Sequence, residues 1–206
     1  LYKYKKYQIL ILYSLSMKEL TAFLMIIIGI FIYIHFLRNN LFLDKVVSSV
    51  NNKEYFVRNL PDKNAAADKL ANLGNSLQNL INSLDNNEKI DDINRLKENF
   101  DSEHITENIP GSLYVAYSLN KGAELSICIR DKETDKFIDD NTIMFVAIHE
   151  LAHIMTDETG HTPKFWNNMK FLLLEASSIG IYSPVDYSNN PVMYCGMQID
   201  SSPLNN

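Results

Sequence analysis

The stretch of sequence that decides the fold runs from His149 to Trp166 and reads HELAHIMTDETGHTPKFW. It opens with the pattern His-Glu-x-x-His and contains a third histidine, His161, eight positions after His153. On an α-helix, side chains four residues apart differ by about 40° around the axis and about 6 Å along it. His149 and His153 therefore project side by side and can bind one metal ion.

Glu150 is predicted to lie beside this histidine pair, because consecutive helical residues are rotated by about 100°. There its carboxylate can hold a water molecule next to a bound metal without ligating the metal. The helix is also predicted to be buried, since apolar residues surround it: Ile143, Met144, Val146, Ala147, Ile148, Leu151, Ala152 and Ile154. Buried polar side chains are costly unless something pairs with them. We therefore predict a Zn²⁺ site with His149 and His153 as ligands and Glu150 as the catalytic residue.

Three residues are candidates for the third ligand: His161, Glu175 and Asp157. A glycine precedes His161, and Thr162-Pro163 follows it as a helix cap with proline at the first helical position, so the chain turns back at this point. Glu175 lies on the next predicted helix, as in zinc enzymes whose third ligand is a distant glutamate. Asp157 would place all three ligands on one helix and crowd one side of the metal. His161 is the preferred ligand, and the other two remain open.

These eighteen residues resemble the active-site segment of the WLM and SprT-like minimal zinc metallopeptidases. In those families a HELxH helix is followed by a glycine-containing turn, a third histidine and an aromatic pair, which corresponds here to Phe165-Trp166. The resemblance covers residues 113–180. It implies an α+β fold of the zincin type, with a small antiparallel sheet and active-site helices, and a Zn²⁺ ion bound by His149, His153 and His161.

The activity expected from this site is that of a zinc endopeptidase, which hydrolyses protein or peptide substrates with Glu150 as the general base. Better-known relatives in those families cleave proteins crosslinked to DNA, so a DNA-associated crosslink protease is one alternative. From Arg38 onward, however, the chain holds 15 Lys/Arg and 24 Asp/Glu, a net charge of −9. Phosphate-binding proteins usually carry a basic stripe, so nucleic acid is not an expected partner. A catalytically inactive, zinc-stabilised scaffold is the second alternative, and the intact Glu150 argues against it.

Residues 20–37 read LTAFLMIIIGIFIYIHFL and contain no formal charge. As a helix they would be about 27 Å long, close to the hydrocarbon thickness of a bilayer. A cleaved signal peptide would have a shorter apolar region and a small-x-small site. We therefore predict a single transmembrane anchor behind an N-terminal tail, residues 1–19. The lysines of this tail favour a body on the non-cytosolic side, although a start at Met17 would remove that bias.

Residues 38–109 are predicted to form a helical linker between the anchor and the catalytic domain. Asp62–Leu84 places leucines at alternating spacings of three and four, and a second apolar helix face follows between residues 90 and 100. Such spacing is typical of helices that pack on a core. The alternative, a row of leucines that pairs with another chain, is less well supported by the sequence. Pro110-Gly111 then begins the metallopeptidase domain, residues 110–206. The oligomeric state is not predicted.

Two strands are predicted near the start of that domain, Ser112–Ser118 and Ala123–Arg130. A turn at Asn120-Lys121-Gly122 would join them as a hairpin. The strand around Leu125–Ile129 is expected to offer its edge to an extended substrate.

The remaining candidate residues are two tyrosines and two cysteines. Tyr187 and Tyr194 lie in the polar C-terminal segment and are candidates for a second electrophile beside the zinc. Cys128 and Cys195 do not form a Cys-x-x-Cys pair, which excludes a cysteine zinc knuckle. A disulfide in an oxidising compartment and two buried thiols both remain open.

Overall fold

The computed structural model describes residues 19–34, 42–109, 111–112, 114–119 and 122–205. The chain divides into two compact units, Leu1–Leu41 and Phe42–Asn206. In the first unit, residues 19–34 form helix α1, and all of them are exposed.

The predicted membrane anchor is only partly covered by the structure. Among the residues that are described, no helix is both long enough and apolar enough to cross a bilayer. Residues 35–37 of the predicted span and most of the predicted tail lie outside the described residues. The anchor and its orientation therefore stay predictions.

The second unit combines helices with short strands, which confirms the α+β class. Its helices are α2 (Lys63–Ser83), α3 (Ile90–Asn99), α4 (Asp140–Met155) and α5 (Pro163–Ser178). Its strands are β1 (Leu43–Val47), β2 (Glu54–Arg58), β3 (Ile105–Glu107), β4 (Ala116–Leu119), β5 (Glu124–Ile127), β6 (Val192–Tyr194) and β7 (Met197–Ile199). They form two hairpins, β1-β2 and β6-β7, and a three-stranded sheet in the order β3-β5-β4.

The three-stranded sheet differs from the predicted one in two ways. It is mixed, because β5 pairs antiparallel with β4 but parallel with β3. The predicted small antiparallel sheet was wrong in this respect, since β3 was not recognised as a strand. β5 also lies in the middle of the sheet, so the predicted substrate edge at Leu125–Ile129 is wrong. Within the described residues, β4 is the strand at the sheet's outer edge beside α4.

Helix α2 supplies a large part of the core through one apolar face. Its leucines and the one that follows it are all buried: Leu70, Leu73, Leu77, Leu80 and Leu84. Burying such a side chain contributes about 1.5–3 kcal/mol relative to leaving it exposed. The face packs within its own domain, against β1, β2, β3 and the other three helices of this unit. Residues 42–109 thus share one compact unit with the motif helix, and the boundary expected at residue 110 has no counterpart in the fold.

Helix α4 is the central helix of the second unit. The Asp139 carboxylate accepts a hydrogen bond from the Thr142 N–H at 2.9 Å and caps the helix. α4 packs against α5 and α3 and against strands β4 and β5. Twelve of its residues are buried, so the prediction of a helix enclosed on nearly all sides is confirmed.

A buried ion network fastens the sheet to the start of α2. Arg130 is only 2 % exposed. Its Nε donates to Glu107 at 2.9 Å, and its two terminal nitrogens donate to both carboxylate oxygens of Asp62 at 2.7 and 2.8 Å. A bidentate pair of this kind fixes direction as well as distance.

Cys128 and Cys195 form a disulfide across a Cα–Cα distance of 6.5 Å. The bond connects the segment after β5 to the β6-β7 hairpin, so the structure has the disulfide of the two alternatives that the sequence left open. Tyr194 strengthens this connection, because its hydroxyl donates to the Cys128 carbonyl at 2.7 Å. The C-terminal hairpin is therefore fixed to the sheet by one covalent bond and one hydrogen bond.

Candidate metal centre

Helix α4 presents the histidine pair towards the first turn of α5. The ring centroids of His149 and His153 are 4.9 Å apart. Both rings pack against Phe165 of α5, at 4.9 and 4.3 Å between centroids. Phe165 is fully buried, so it restricts the orientation of both imidazoles.

A loop of residues 156–162, here called the ligand loop, carries His161 from α4 to α5. Gly160 has a φ of 86°, a left-handed conformation that glycine adopts readily. The Thr162 hydroxyl accepts a hydrogen bond from the Phe165 N–H at 3.3 Å and caps α5. The turn predicted from the glycine before His161 and the threonine after it is therefore present.

The three histidines converge. Nε2 of His153 lies 3.2 Å from Nε2 of His149, and Nε2 of His161 lies 3.1 Å from the same atom. With Zn–N bonds of about 2.0–2.1 Å at tetrahedral angles, ligand nitrogens lie roughly 3.3–3.4 Å apart. Within the described residues, this is the only group of three or more histidine, cysteine or acidic side chains close enough to share a metal ion. Both the spacing and the donor type fit Zn²⁺.

The two helical histidines are neutral, which is the form that binds metal. Burial, followed by the neighbouring histidines, lowers the pKa of His149 to about 3. Burial and then His161 lower the pKa of His153 to about 4. His161 is exposed, so the metal position opens towards solvent, as a catalytic zinc site needs.

Glu150 is buried next to this centre, with 7 % of its surface exposed. Burial raises the pKa of its carboxyl to about 7, although a hydrogen bond from the backbone N–H of Ser118 acts in the opposite direction. A general base is most effective when its pKa lies near the operating pH. A bound cation would favour the ionised form further.

The two other candidate ligands lie elsewhere. Glu175 comes 12 residues after Pro163, the first residue of α5, and this separation is about 18 Å along the helix axis. Asp157 forms an ion pair with Lys164 at 2.7 Å. The structure thus brings His161, and neither carboxylate, to the histidine pair.

Neither candidate tyrosine presents its hydroxyl at the surface. Tyr187 is buried against Phe145 at 4.7 Å between ring centroids. Tyr194 is buried, and its hydroxyl is engaged by the Cys128 carbonyl. Burial, and then the nearby Glu150 carboxylate, raise the pKa of Tyr194, so Tyr194 is buried close to the general-base candidate.

The outer edge of β4 contacts the site directly, which the sequence did not predict. The backbone N–H of Ser118 donates to Glu150. In an antiparallel pair, alternate residues direct their N–H and C=O groups away from the partner strand. Ala116 therefore directs its backbone groups to the same side as Ser118. The strand pattern alone indicated a hairpin, but not which of its strands lies outside.

Comparison with known proteins identifies the family. The family model of the WLM domain, which describes the sequences of that family, matches residues 55–190. The chain belongs to the WLM family. The WLM match begins in β2 and takes in α2 and α3 as well as the histidine segment, so the second unit is a WLM-like protease domain.

Several known proteins are similar to this WLM chain. Uncharacterized protein R325 of Acanthamoeba polyphaga mimivirus is 34 % identical over 77 % of this chain and 83 % of its own length. Uncharacterized protein 136R of Invertebrate iridescent virus 6 is 42 % identical, over 32 % of this chain and 38 % of its own. The crystal structure of Wss1 from Saccharomyces cerevisiae aligns with a TM-score of 0.47 and 18 % identity, over 60 % of this chain and 86 % of that chain.

Proposed function

We propose that this WLM protein is a membrane-anchored, zinc-dependent endopeptidase. The observation that carries the proposal is the convergence of His149, His153 and His161 on one point beside a buried glutamate. Neutral imidazoles at this spacing suit Zn²⁺, and the exposed side of the centre leaves room for water and substrate. Glu150 has the position of a general base.

A bound zinc ion would supply Lewis acidity that activates a water molecule and polarises the scissile carbonyl. Glu150 accepts the proton of the attacking water on a carboxylate oxygen and delivers it to the leaving amine nitrogen. The Ser118 N–H holds that carboxylate in place. Phe165 keeps the ligand rings oriented by packing against them.

The outer edge of β4 is the proposed binding strand for an extended peptide segment. Ala116 directs backbone hydrogen-bonding groups outward there, on the side where Ser118 reaches Glu150. Pairing through main-chain groups is a common way to bind peptides without strong sequence preference. It would place a backbone carbonyl of the substrate near the metal position.

Glu150→Gln tests the enzymatic role. In zinc-loaded protein, hydrolysis of an unfolded protein substrate is expected to fall by about 10²- to 10⁴-fold, because the proton acceptor is lost. Zinc content should remain equal to that of the wild type. Glu133→Gln, a change at an exposed turn position outside the site, is the matched control and should leave activity unchanged.

The same assay separates the alternative functions. Activity that survives Glu150→Gln would contradict the proposed mechanism. Stoichiometric zinc without turnover would favour the scaffold. A crosslink protease would be stimulated by single-stranded DNA, and an endopeptidase of the proposed kind would not.

The membrane anchor is part of the proposal and has its own test. Support comes from the uncharged sequence of residues 20–37 and from the exposure of the apolar side chains along α1. The protein should remain in membranes after alkaline carbonate extraction. The double change Ile27→Lys and Ile28→Lys should release it, whereas the double change Ile27→Val and Ile28→Val should not. A wild-type protein that carbonate extracts would contradict the anchor. In sealed vesicles, accessibility to added protease would report whether the domain lies on the non-cytosolic side.

A further inference from the structure

The ligand loop starts at a helix end that is tied to two other helices. The Arg95 guanidinium on α3 donates to the Met155 carbonyl at 2.8 Å, one of the last carbonyls of α4, which lack partners within the helix. The Thr156 hydroxyl donates to the Ala152 carbonyl at 2.7 Å and accepts from the Asn168 amide of α5 at 3.1 Å. The first residue of the loop is therefore held from both sides.

An ion pair closes the loop at its other end. Nζ of Lys164 lies 2.7 Å from Oδ1 of Asp157 and 3.0 Å from Oδ1 of Asp92 on α3. Asp157 is the second residue of the ligand loop and Lys164 the second residue of α5, so the pair spans the segment that contains His161. Lys164 directly precedes Phe165, against which the His161 ring packs at 4.8 Å between centroids.

Asp92 is the centre of this network. Its carboxylate accepts from Arg95 at 2.7 Å and from Asn168 at 3.3 Å, in addition to pairing with Lys164. It is only 9 % exposed. Burial alone would raise its pKa, but the hydrogen bonds from these three partners hold the pKa of Asp92 below its usual range. Asn168 is fully buried and accepts in turn from Lys89 at 2.8 Å.

We propose that Asp92 and Lys164 are positioning residues of the metal site, which hold the ligand loop so that His161 stands beside the histidine pair before metal binds. The inference rests on the proposed zinc function. A loose loop would lose its conformational freedom only when the metal binds, and that loss would weaken the affinity. A loop ordered during folding has already lost this freedom.

Lys164→Met is the primary test, because a lysine ammonium is not a zinc ligand and its removal cannot delete one. The Zn²⁺ dissociation constant, measured by chelator competition, is expected to rise by about 10- to 100-fold, the range typical of lost outer contacts around metal sites. Lys164→Arg, which keeps the charge, should recover most of the affinity. The visible spectrum of the Co²⁺-substituted protein should change in Lys164→Met as the third histidine is lost from a fraction of the molecules.

Lys45→Met is the matched control, since it removes the exposed ion pair between Lys45 and Glu54 on the β1-β2 hairpin. Its zinc affinity and Co²⁺ spectrum should equal those of the wild type. The proposal is overturned if Lys164→Met folds normally and also keeps both properties. Asp92→Asn should weaken zinc binding at least as much. If that variant does not fold, Lys164→Met and Lys164→Arg decide the question.

His161→Ala separates this inference from the function on which it rests. If the wild type binds zinc and His161→Ala weakens binding while Lys164→Met does not, the positioning role is overturned and the zinc site stands. If the wild type binds no zinc, or if His161→Ala binds it unchanged, the proposed site fails and the positioning role fails with it.

Discussion

At the scale of single residues, the third ligand decides the geometry of the proposed metal centre. His161→Ala should raise the Zn²⁺ dissociation constant by at least 100-fold, because the ion would lose one of three protein ligands. Glu175→Ala should leave it unchanged, since that carboxylate lies about three turns further along α5. Isothermal titration of both variants, each checked for folding by circular dichroism, would compare them. Equal affinities, or a loss confined to Glu175→Ala, would contradict the three-histidine centre.

The residues that could be predicted are those whose roles follow from local spacing. His149, His153 and Glu150 share one helix, and a glycine and a capping threonine flank His161 within the same segment. Asp92 carries no such signal, because its partner Asn168 lies 76 positions away. Each of the two is an ordinary polar residue in an amphipathic helix, and only the packed fold brings them together.

At the scale of elements, the turn between β4 and β5 sets how closely the sheet approaches the helices. Gly122 has a φ of 119°, and a Cβ there would lie 2.8 Å from the Asn99 carbonyl oxygen and 3.0 Å from methyl groups of Ile154. Gly122→Ala should therefore destabilise the domain by roughly 3 kcal/mol or more, through backbone strain and steric overlap together.

Gly180→Ala is the comparison that isolates the overlap. Gly180 also has a positive φ, of 77°, but nothing lies within 4 Å of its added Cβ. This variant should lose only about 1–2 kcal/mol, the strain of the left-handed backbone. Urea unfolding gives both values, and equal losses would show that the close approach to α3 and α4 is not tight.

Elements with a long apolar period were predicted, and short ones were not. α2, α3 and α4 and the β4-β5 hairpin were predicted, because burial on one face or on all sides leaves a pattern in the sequence. β3, β6 and β7 have three residues each, too few to show alternation. β1 and β2 lie in the segment that was predicted to be a helical linker, and they are strands because Val46, Tyr55 and Val57 pack against the core.

At the scale of the whole molecule, the buried network around Arg130 connects the sheet to α2. Arg130→Met should cost about 3–5 kcal/mol, because Glu107 would be left buried without its counter-ion. Burial already raises the pKa of Glu107, against the opposing effect of Arg130 and the Arg58 N–H. Without Arg130 the folded-state pKa should rise further above the unfolded value.

This gives the loss a distinctive pH dependence. A carboxyl whose folded pKa is raised stabilises the fold below its unfolded pKa, and that stability disappears as the pH rises towards the folded pKa. The urea midpoint of Arg130→Met should therefore lie below that of the wild type by a larger amount at pH 8 than at pH 5. A loss of the same size at both pH values would contradict this account.

The extent of the domain could not be predicted, for a related reason. The histidine segment indicates a metal site, but it does not show which distant elements complete the core. The WLM match begins at residue 55, and the compact unit begins at Phe42. The apolar face of α2 packs against elements that lie far along the chain. The spacing of its leucines predicts that the face is buried, but not which elements bury it.

These distant connections have a consequence for how fast the domain folds. The Arg130–Asp62 pair joins residues 68 positions apart, Lys89 and Asn168 are 79 apart, and the disulfide spans 67. Closing long loops costs entropy before the contacts they bring can form, and folds rich in such contacts reach the native state in about milliseconds to seconds rather than microseconds. Helix α5, against which the apolar face of α2 also packs, begins at Pro163, 80 positions after α2 ends at Ser83. A newly made chain would therefore expose part of that face until α5 has been synthesised.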